Sequence, residues 1–263
     1  MKISIIGAGA MGGAMVEGFA KGSMINAEDI TVAAPHHTTL QRFEHLGVSL
    51  TTDNKTAAAC SDMVAVVVKP WLVEQVIKEI KSVLDYQKQL VMVVAAGISG
   101  ADVSTWLDKG DGSLPPVFLI MPNTAIAVKS SMTFIVPVNA KPAHIQLMTD
   151  LFVDTGGALV IAERQLTAGM VLASCGIAYA MRYIRAATEG GVQLGFKAAD
   201  AQYIVEQTVK GAVDLLQANE SHPEAEIDKV TTPGGVTIRG LNAMEQAGFT
   251  NAVIQGLVVS AKK

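Results

Sequence analysis

Gly7, Gly9 and Gly12 carry the spacing G-x-G-x-x-G inside K-I-S-I-I-G-A-G-A-M-G-G, residues 2–13. Each glycine meets a different steric demand. The first permits a tight turn, the second lets a pyrophosphate approach bare backbone, and the third lets a helix sit close to a strand. A helix that starts at such a turn offers free N–H groups to phosphate oxygens. The chemistry that suits these residues is the grip of a dinucleotide along Ile6, Gly7, Ala8, Gly9, Ala10, Met11 and Gly12. The flanks agree: Lys2–Ile6 is an apolar, β-branched run that ends in glycine, and Ala10–Ala20 has helical spacing. A glycine turn with a purely packing role is the competing reading.

The next strand expected, Asp29–Ala34, ends where an adenosine ribose would lie. An NAD site places Asp or Glu there to hold the 2′-hydroxyl. This chain has Ala33, Ala34, Pro35, His36, His37 and Thr38 instead, and Arg42 about one helical turn beyond. Nothing there repels a 2′-phosphate, so the pattern favours NADP(H), with NAD(H) possible. Ala34 and His36 become candidate cofactor contacts, while an exposed loop accounts for the two histidines equally well.

A second stretch with chemical character is D-K-V-T-T-P-G-G-V-T-I-R-G, Asp228–Gly240. Thr232 is expected as N-cap and Pro233 as the first helical residue. Gly234 and Gly235 would then fall in the first turn, where glycine is a poor helix former. Backbone that bare suits a ligand carboxylate held on helix N–H groups. Thr237 would offer a hydroxyl in the same turns, and Arg239, two residues on, would point nearly the opposite way. A capped helix that needs close packing explains the glycines as well.

The elements that position these residues follow from periodicity. Gly47–Leu50, Met63–Val68, Gln89–Ala95, Val117–Met121, Met132–Pro137 and Ala158–Ile161 read as strands. Several are continuous apolar runs, the mark of strands covered on both faces. Either Asp53 or Asn54 can cap a helix over Lys55–Cys60, and further helices are expected over Trp71–Val83 and Pro142–Thr155. Strands alternating with helices imply an α/β fold with a doubly wound, mostly parallel sheet. Ligands of such a sheet bind beyond the carboxyl ends of its strands. Those ends are Gly7–Gly12, Ala34–His36, Lys69-Pro70, Ala95–Gly97 and Met121–Thr124. None pairs a nucleophile with a base, and no H-E-x-x-H, G-x-S-x-G or paired-carboxylate spacing occurs. Hydride transfer fits that poverty, because the cofactor carries the difficult step.

Beyond Glu163 no strand is expected. Arg164–Ala187 reads as a long helix, apolar nearly all round, ended by Gly190-Gly191. A helix without a polar face must be covered on all sides, which in a small domain implies a partner subunit. Helices over Ala198–Ala218, after His222-Pro223, after Pro233 and over Thr250–Ala261 complete the chain. The expected division is a dinucleotide-binding (Rossmann-type) domain over residues 1–160 and an all-helical substrate and dimerisation domain over residues 161–263.

Of the 263 residues half are hydrophobic and only 17% charged, enough for a sizeable core; the formal net charge of −4 argues against a nucleic-acid partner. Cys60 and Cys175 match no metal-binding or C-x-x-C spacing, so no metal is expected and a reducing cytoplasm is. The chain enters the glycine turn too early for a signal peptide, and Ala168–Met181 is too short to span a bilayer.

Several phrases recur in one enzyme family. In the front half they are I-G-A-G-A-M, Asn54 in D-N-K, V-V-K-P at Val67–Pro70, A-A-G at Ala95–Gly97 and M-P-N-T at Met121–Thr124. In the back half they are T-E-G-G-V-Q-L-G at Thr188–Gly195, E-Q-T-V-K-G-A at Glu206–Ala212, H-P at His222-Pro223, V-T-T-P-G-G-V-T-I at Val230–Ile238 and E-Q-A-G-F at Glu245–Phe249. On these phrases, and over most of its length, the chain resembles the pyrroline-5-carboxylate reductases, which perform the last step of proline synthesis.

The resemblance implies NAD(P)H as hydride donor and a cyclic imino acid as acceptor. It implies cofactor contacts at Gly7–Met11, Asn54, Val67, Val68, Lys69, Pro70, Ala95 and Ala96. It implies substrate contacts at Gly234, Gly235, Val236, Thr237 and Asn123, with Thr237 as the catalytic candidate bonding the ring nitrogen. It also implies a homodimer or larger homo-oligomer built by the C-terminal helices, with the substrate site completed across subunits. The chain departs from the family pattern at three places. A-S-C-G-I-A-Y at Ala173–Tyr179 replaces S-G-S-G-P-A-Y, with Cys175 for a serine and Ile177 for a proline. Ala125 stands for the proline after M-P-N-T, and Ala34 for a serine. Two other readings stay open. One is a related reductase of another imine or a 3-hydroxy acid, although hydroxy-acid enzymes of this architecture keep a lysine on the long helix and Arg164–Ala187 has none. The other is a non-catalytic NADPH-binding sensor.

Overall fold

The structure, a computed structural model, describes residues 1–262. In the front half the elements are β1 (Ile3–Ile6), α1 (Ala10–Ala20), β2 (Ile30–Ala33), α2 (His37–Leu40), β3 (Ser49–Thr51), α3 (Asn54–Ala59), β4 (Met63–Val66), α4 (Pro70–Ile80), β5 (Leu90–Val93), α5 (Gly100–Leu107), β6 (Val117–Met121), β7 (Ser131–Pro137), α6 (Pro142–Val153) and β8 (Gly156–Val160). The strands form one eight-stranded sheet in the order β3-β2-β1-β4-β5-β6-β7-β8. Every neighbouring pair is parallel except β6 and β7, where Ile120 faces Ile135 in an antiparallel register. The expected doubly wound α/β sheet is therefore present, and the switch of direction on either side of β1 puts a crevice beyond its carboxyl end.

The sheet is buried on both faces, as the continuous apolar runs require. One face packs Ile3, Ile5, Val32, Met92 and Ile120 against Met15 and Phe19 of α1 and Phe152 of α6. The other packs Ile6, Val64, Val66 and Val91 against Val73 and Ile77 of α4 and Val103 and Leu107 of α5. Fully burying one such side chain contributes about 1.5–3 kcal/mol, so the alternation of in-facing residues on two layers decides the fold.

Three local outcomes differ from the sequence expectations. Helix α5 was not expected; Ser99 caps it, accepting from the Asp102 N–H at 3.1 Å while Asp102 accepts from the Ser99 N–H at 3.1 Å, a reciprocal capping box. The long helix expected over Arg164–Ala187 is helical without a break from Leu166 but is not α throughout. It runs as α7 (Leu166–Gly169), a π-helical segment over Met170–Cys175, and α8 (Gly176–Gln193). The wider turn is fixed by polar contacts: Ser174 Oγ donates to the Pro122 carbonyl at 2.9 Å. Gly169 presses on Phe134, where a Cβ would lie 2.9 Å from the ring. Nor does α8 stop at Gly190-Gly191. It continues to Gln193 and turns at Gly195, whose φ of 104° suits glycine alone. Gly191 serves a different purpose, since a Cβ there would stand 2.9 Å from the Ala201 Cβ of the next helix.

Residues 1–174 form one compact unit, and the chain from Cys175 onward forms a second. The first unit extends past residue 160 because Leu166 is buried in the core on one face of the sheet and Met170 and Ala173 pack against that core. After α8 the second unit holds α9 (Ala198–Asn219), α10 (Pro223–Val230), α11 (Val236–Gln246) and α12 (Phe249–Ser260), with no strand among the described residues. Tyr179 joins α8 to α12 through a 2.6 Å hydrogen bond with Ser260 Oγ. Its hydroxyl thus has a packing role.

Asp154, just after α6, ties that helix to the loop after α1. It accepts from the Ser23 and Met24 N–H groups at 2.6 and 3.1 Å and from Ser23 Oγ at 2.9 Å. Burial alone would raise its carboxyl, but these donors and Lys129 outweigh burial and hold it below the usual carboxylate range. A lowered folded value means the stabilisation is complete at neutral pH and is lost as pH falls below about 4 toward that value. Asp154→Asn is expected to cost about 1–3 kcal/mol. Thermal unfolding should show a lower midpoint at pH 7 and a smaller difference from wild type in acid.

Candidate active site

In the first unit the glycine loop is shaped by contact of backbone with backbone. Gly7 has φ 107°, and a Cβ on it would lie 2.1 Å from the Val67 carbonyl oxygen. A Cβ on Gly12 would lie 1.9 Å from the Gly7 carbonyl oxygen. The Gly7 N–H donates to the Ala33 carbonyl at 2.8 Å and the Val67 N–H to Ile6 at 2.7 Å. The loop is thereby bound to β1, β2 and β4 at once. Around Gly9 there is open space: a Cβ there would have nothing within 4 Å. Gly9 is the N-cap of α1, makes no side-chain cap, and no acidic residue stands in the first turn. The first N–H groups of α1 therefore remain for an anion.

Beside the loop lies a cavity of about 270 Å³. Ile6, Gly7, Ala34, Asn54 and Val68 line it, all anticipated from sequence. Leu72, Gln75, Val76 and Glu79 of α4 line it as well, and were not anticipated. Asn54 Nδ2 donates to Glu79 Oε2 at 3.0 Å. Asp53, not Asn54, caps α3, accepting from the Lys55 N–H at 2.9 Å. The Thr56 hydroxyl and the Lys55 N–H hold the Asp53 carboxyl below its ordinary value. That leaves Asn54 free to face the cavity. A mostly apolar wall with a few polar groups is what a nucleoside needs.

The other predicted cofactor residues sit at neighbouring strand ends. Val67 is buried, Lys69 is exposed and is the N-cap of α4, and Pro70 is its first residue. No side-chain cap closes α4, and its first turn has no acid. Ala95 and Ala96 follow β5, half-buried and exposed. Ala8 is buried, while Ala10 is exposed and Met11 half-buried. Ala34 is buried at the end of β2, and His36 is exposed before α2. Arg42, whose place about one helical turn beyond β2 was part of the pattern favouring NADP(H), directs Nη2 at the glycine loop, donating to the Ala8 and Gly9 carbonyls at 2.6 and 2.9 Å.

Asn123 faces inward. Its side-chain oxygen accepts from the Ala125 N–H at 3.0 Å and its Nδ2 donates to the Ala173 carbonyl at 3.5 Å. Capping the short turn after β6 accounts for that buried amide.

In the second unit the T-P-G-G stretch folds differently from expectation. Thr232 does not cap and Pro233 is not helical. The Gly235 N–H donates to the Thr232 carbonyl at 2.9 Å, Gly234 has φ 68°, and α11 begins at Val236 with Gly235 as N-cap. The left-handed turn needs Gly234, so the glycines form the entrance to the helix and not its first turn. A Cβ on Gly235 would sit 2.4 Å from Thr232 Oγ1. Val236, 77% exposed, and Thr237 stand in the first turn of α11, with no acid and no side-chain cap beside them.

Comparison with known proteins agrees with both halves. Residues 163–263 match the family model described as pyrroline-5-carboxylate reductase dimerisation, and residues 2–97 match one described as NADP oxidoreductase coenzyme F420-dependent. Pyrroline-5-carboxylate reductase 2 of Dictyostelium discoideum is 34% identical, over 99% of this chain and 91% of its own length. Pyrroline-5-carboxylate reductase 1 of the same organism is 35% identical over 99% of this chain, which spans about half, 49%, of that relative. A solved pyrroline-5-carboxylate reductase from Coxiella burnetii superposes with a TM-score of 0.87 at 27% identity, covering 99% of this chain and 96% of that one. A relationship that runs the full length of the chain, through the bare glycine loop and the bare turn before α11 alike, places this protein in the pyrroline-5-carboxylate reductase family.

Proposed function

We propose that this chain reduces 1-pyrroline-5-carboxylate to proline with NADP(H) as preferred hydride donor, as the last step of proline synthesis. The observation that carries the reading is the 34% identity to a pyrroline-5-carboxylate reductase over 99% of the chain. The chain is an oxidoreductase acting on a C=N bond. NADP(H), held by the loop at Gly7–Gly12, would supply a hydride to the imine carbon, and the ring nitrogen would take its proton from solvent or arrive protonated. A protonated imine is the better acceptor, and a threonine hydroxyl is too weak an acid to supply that proton. Thr237 accordingly orients the ring nitrogen. The substrate carboxylate rests on the N–H groups that open α11, at Val236 and Thr237, against the bare backbone of Gly234 and Gly235. Placing hydride and imine carbon at reacting distance accounts for about 7 kcal/mol or more of the barrier.

In the first unit the loop at Gly7–Gly12 takes the pyrophosphate, and the cavity beside Asn54 takes the adenosine end. The absence of a carboxylate at Ala34–His36 supports NADPH over NADH. Cys60 and Cys175 are free thiols, which suits a cytoplasmic enzyme. No helix among the described residues is long and apolar enough to cross a membrane.

We further propose that the second unit assembles with copies of itself. Among its described residues only Thr188 and Ala201 are buried, whereas Leu194 is 84% and Tyr203 70% exposed. Helices that bury so little must be covered from elsewhere. Light scattering should give at least twice the mass of the chain.

Two kinetic outcomes test the activity. NADPH oxidation with pyrroline-5-carboxylate should be robust, with a lower KM for NADPH than for NADH. Tight NADPH binding without turnover of this or any imine would favour a sensor instead. Thr237→Ala should lower kcat/KM for the imine by roughly 10–100-fold, about the loss of one hydrogen bond made to a charged group, and leave the NADPH dissociation constant unchanged. Unaltered kinetics would remove Thr237 from the site.

A further inference from the structure

We propose that Arg42 is a positioning residue for the phosphate loop, and that Gly13 is the notch that admits it. This rests on the reading of the first unit as the NADP(H) domain. Arg42 lies in the turn of 3-10 helix over Gln41–Leu46, outside the glycine fingerprint. Its Nη2 donates to the carbonyls of Ala8 at 2.6 Å and Gly9 at 2.9 Å. The guanidinium rests over the Phe43 ring, 4.5 Å from the centroid, and Phe43 is buried. The donor is thus held in place by its neighbour.

A peptide group is planar and trans, so its carbonyl and its N–H point in opposite directions. Drawing the Ala8 carbonyl toward Arg42 turns the Gly9 N–H away from it. Drawing the Gly9 carbonyl does the same to the Ala10 N–H. These N–H groups border the open space at Gly9 and the start of α1, where the pyrophosphate is expected. The Gly9 carbonyl also accepts from the Gly13 N–H at 2.8 Å, so the peptide that rotates without the clamp is Ala8–Gly9, which then presents its carbonyl oxygen to the phosphate. Gly9, with its wide conformational freedom, permits that rotation. Arg42 thereby acts on the part that NADPH and NADH share, not on the 2′-phosphate that separates them.

Gly13 supports the same assignment. The dinucleotide spacing is complete at Gly12, and a further glycine inside α1 weakens the helix. A Cβ on Gly13 would fall 2.2 Å from Arg42 Nη2 and 3.3 Å from Phe43 Cζ. The closer of the two is the tip of a flexible side chain, so an alanine there displaces the guanidinium and leaves the loop backbone where it was.

The test measures dissociation constants for NADPH and NADH by nucleotide fluorescence, together with steady-state constants, for wild type, Arg42→Met, Gly13→Ala and the double variant. Arg42→Met should weaken both dinucleotides by a similar factor, about ten-fold or more, with kcat and the imine KM unchanged at saturating cofactor. Gly13→Ala should weaken both in the same way although Arg42 is present and the helix has gained a better former, and should add nothing to Arg42→Met. A loss confined to NADPH would make Arg42 a 2′-phosphate ligand and overturn the proposal, as would unchanged affinities in both variants. Should Arg42→Met fail to fold, Gly13→Ala carries the same comparison. Wild type that binds neither dinucleotide would refute the cofactor reading itself; wild type that binds beside variants that bind equally refutes only the positioning role.

Discussion

The approach of the Gly12 position to the Gly7 carbonyl is the constraint on which the first unit depends. A single methyl group there would lie 1.9 Å from a backbone oxygen, and one on Gly7 would lie 2.1 Å from the Val67 oxygen. No side-chain adjustment relieves a clash with backbone. Because both positions are bare, α1 starts directly above β1, and the end of β4 closes against the same loop. The helix therefore points its free N–H groups at the crevice where the strand order reverses, and Val68, Lys69 and Pro70 border that crevice. Packing, topology and anion binding are three consequences of one contact.

The two units differ in how they bury themselves. The sheet is enclosed on both faces by apolar layers that include Phe19, Phe152, Ile77 and Leu107. The helices from α8 onward lack any comparable core among the described residues and leave Met181, Leu215 and Val259 exposed. The first unit satisfies the ordinary conditions for a domain, and the second satisfies them only with added partners.

What the sequence disclosed followed burial. Strands flanked on both faces, such as Val117–Met121, show as unbroken apolar runs and were bounded correctly. Features set by polar contacts between distant segments were not legible. The π-helical segment over Met170–Cys175 depends on Ser174 meeting Pro122, and periodicity contains no trace of that. Gly190 and Gly191 look like a helix stop, yet Gly191 serves the approach of α9. Thr232 and Pro233 look like the start of a helix, but the φ of 68° at Gly234 delays it to Val236. The capping box Ser99–Asp102 was readable in principle from S-x-x-D spacing and would have revealed α5. At the candidate site the sequence supplied the loop, Ala34, Asn54 and Val68, but not the wall from α4, since Gln75 and Glu79 resemble any solvated helix face until the cavity is seen.

The proposed chemistry also has to reconcile two anionic ligands with a chain of net charge −4. Overall charge cannot attract a dinucleotide and a carboxylate to this protein; local dipoles must. Some helix ends are closed to an anion and others are open. Asp53 occupies the N-terminus of α3, Ser99 and Asp102 that of α5, and Glu224 and Glu226 the first turn of α10. Their partial positive charge is neutralised within the chain. At α1, α4 and α11 there is neither a side-chain cap nor an acid in the first turn, and the residues before them are Gly9, Lys69 and Gly235. Leaving a helix end uncapped costs about 0.5–2 kcal/mol apiece, a loss that an anionic ligand in that position reverses. Those three ends lie in the stretches that the family relationship singles out, whereas α12, entered through Gly248, is equally bare and lies outside them; an open terminus marks an anion site only where backbone and neighbouring residues leave room for the ligand.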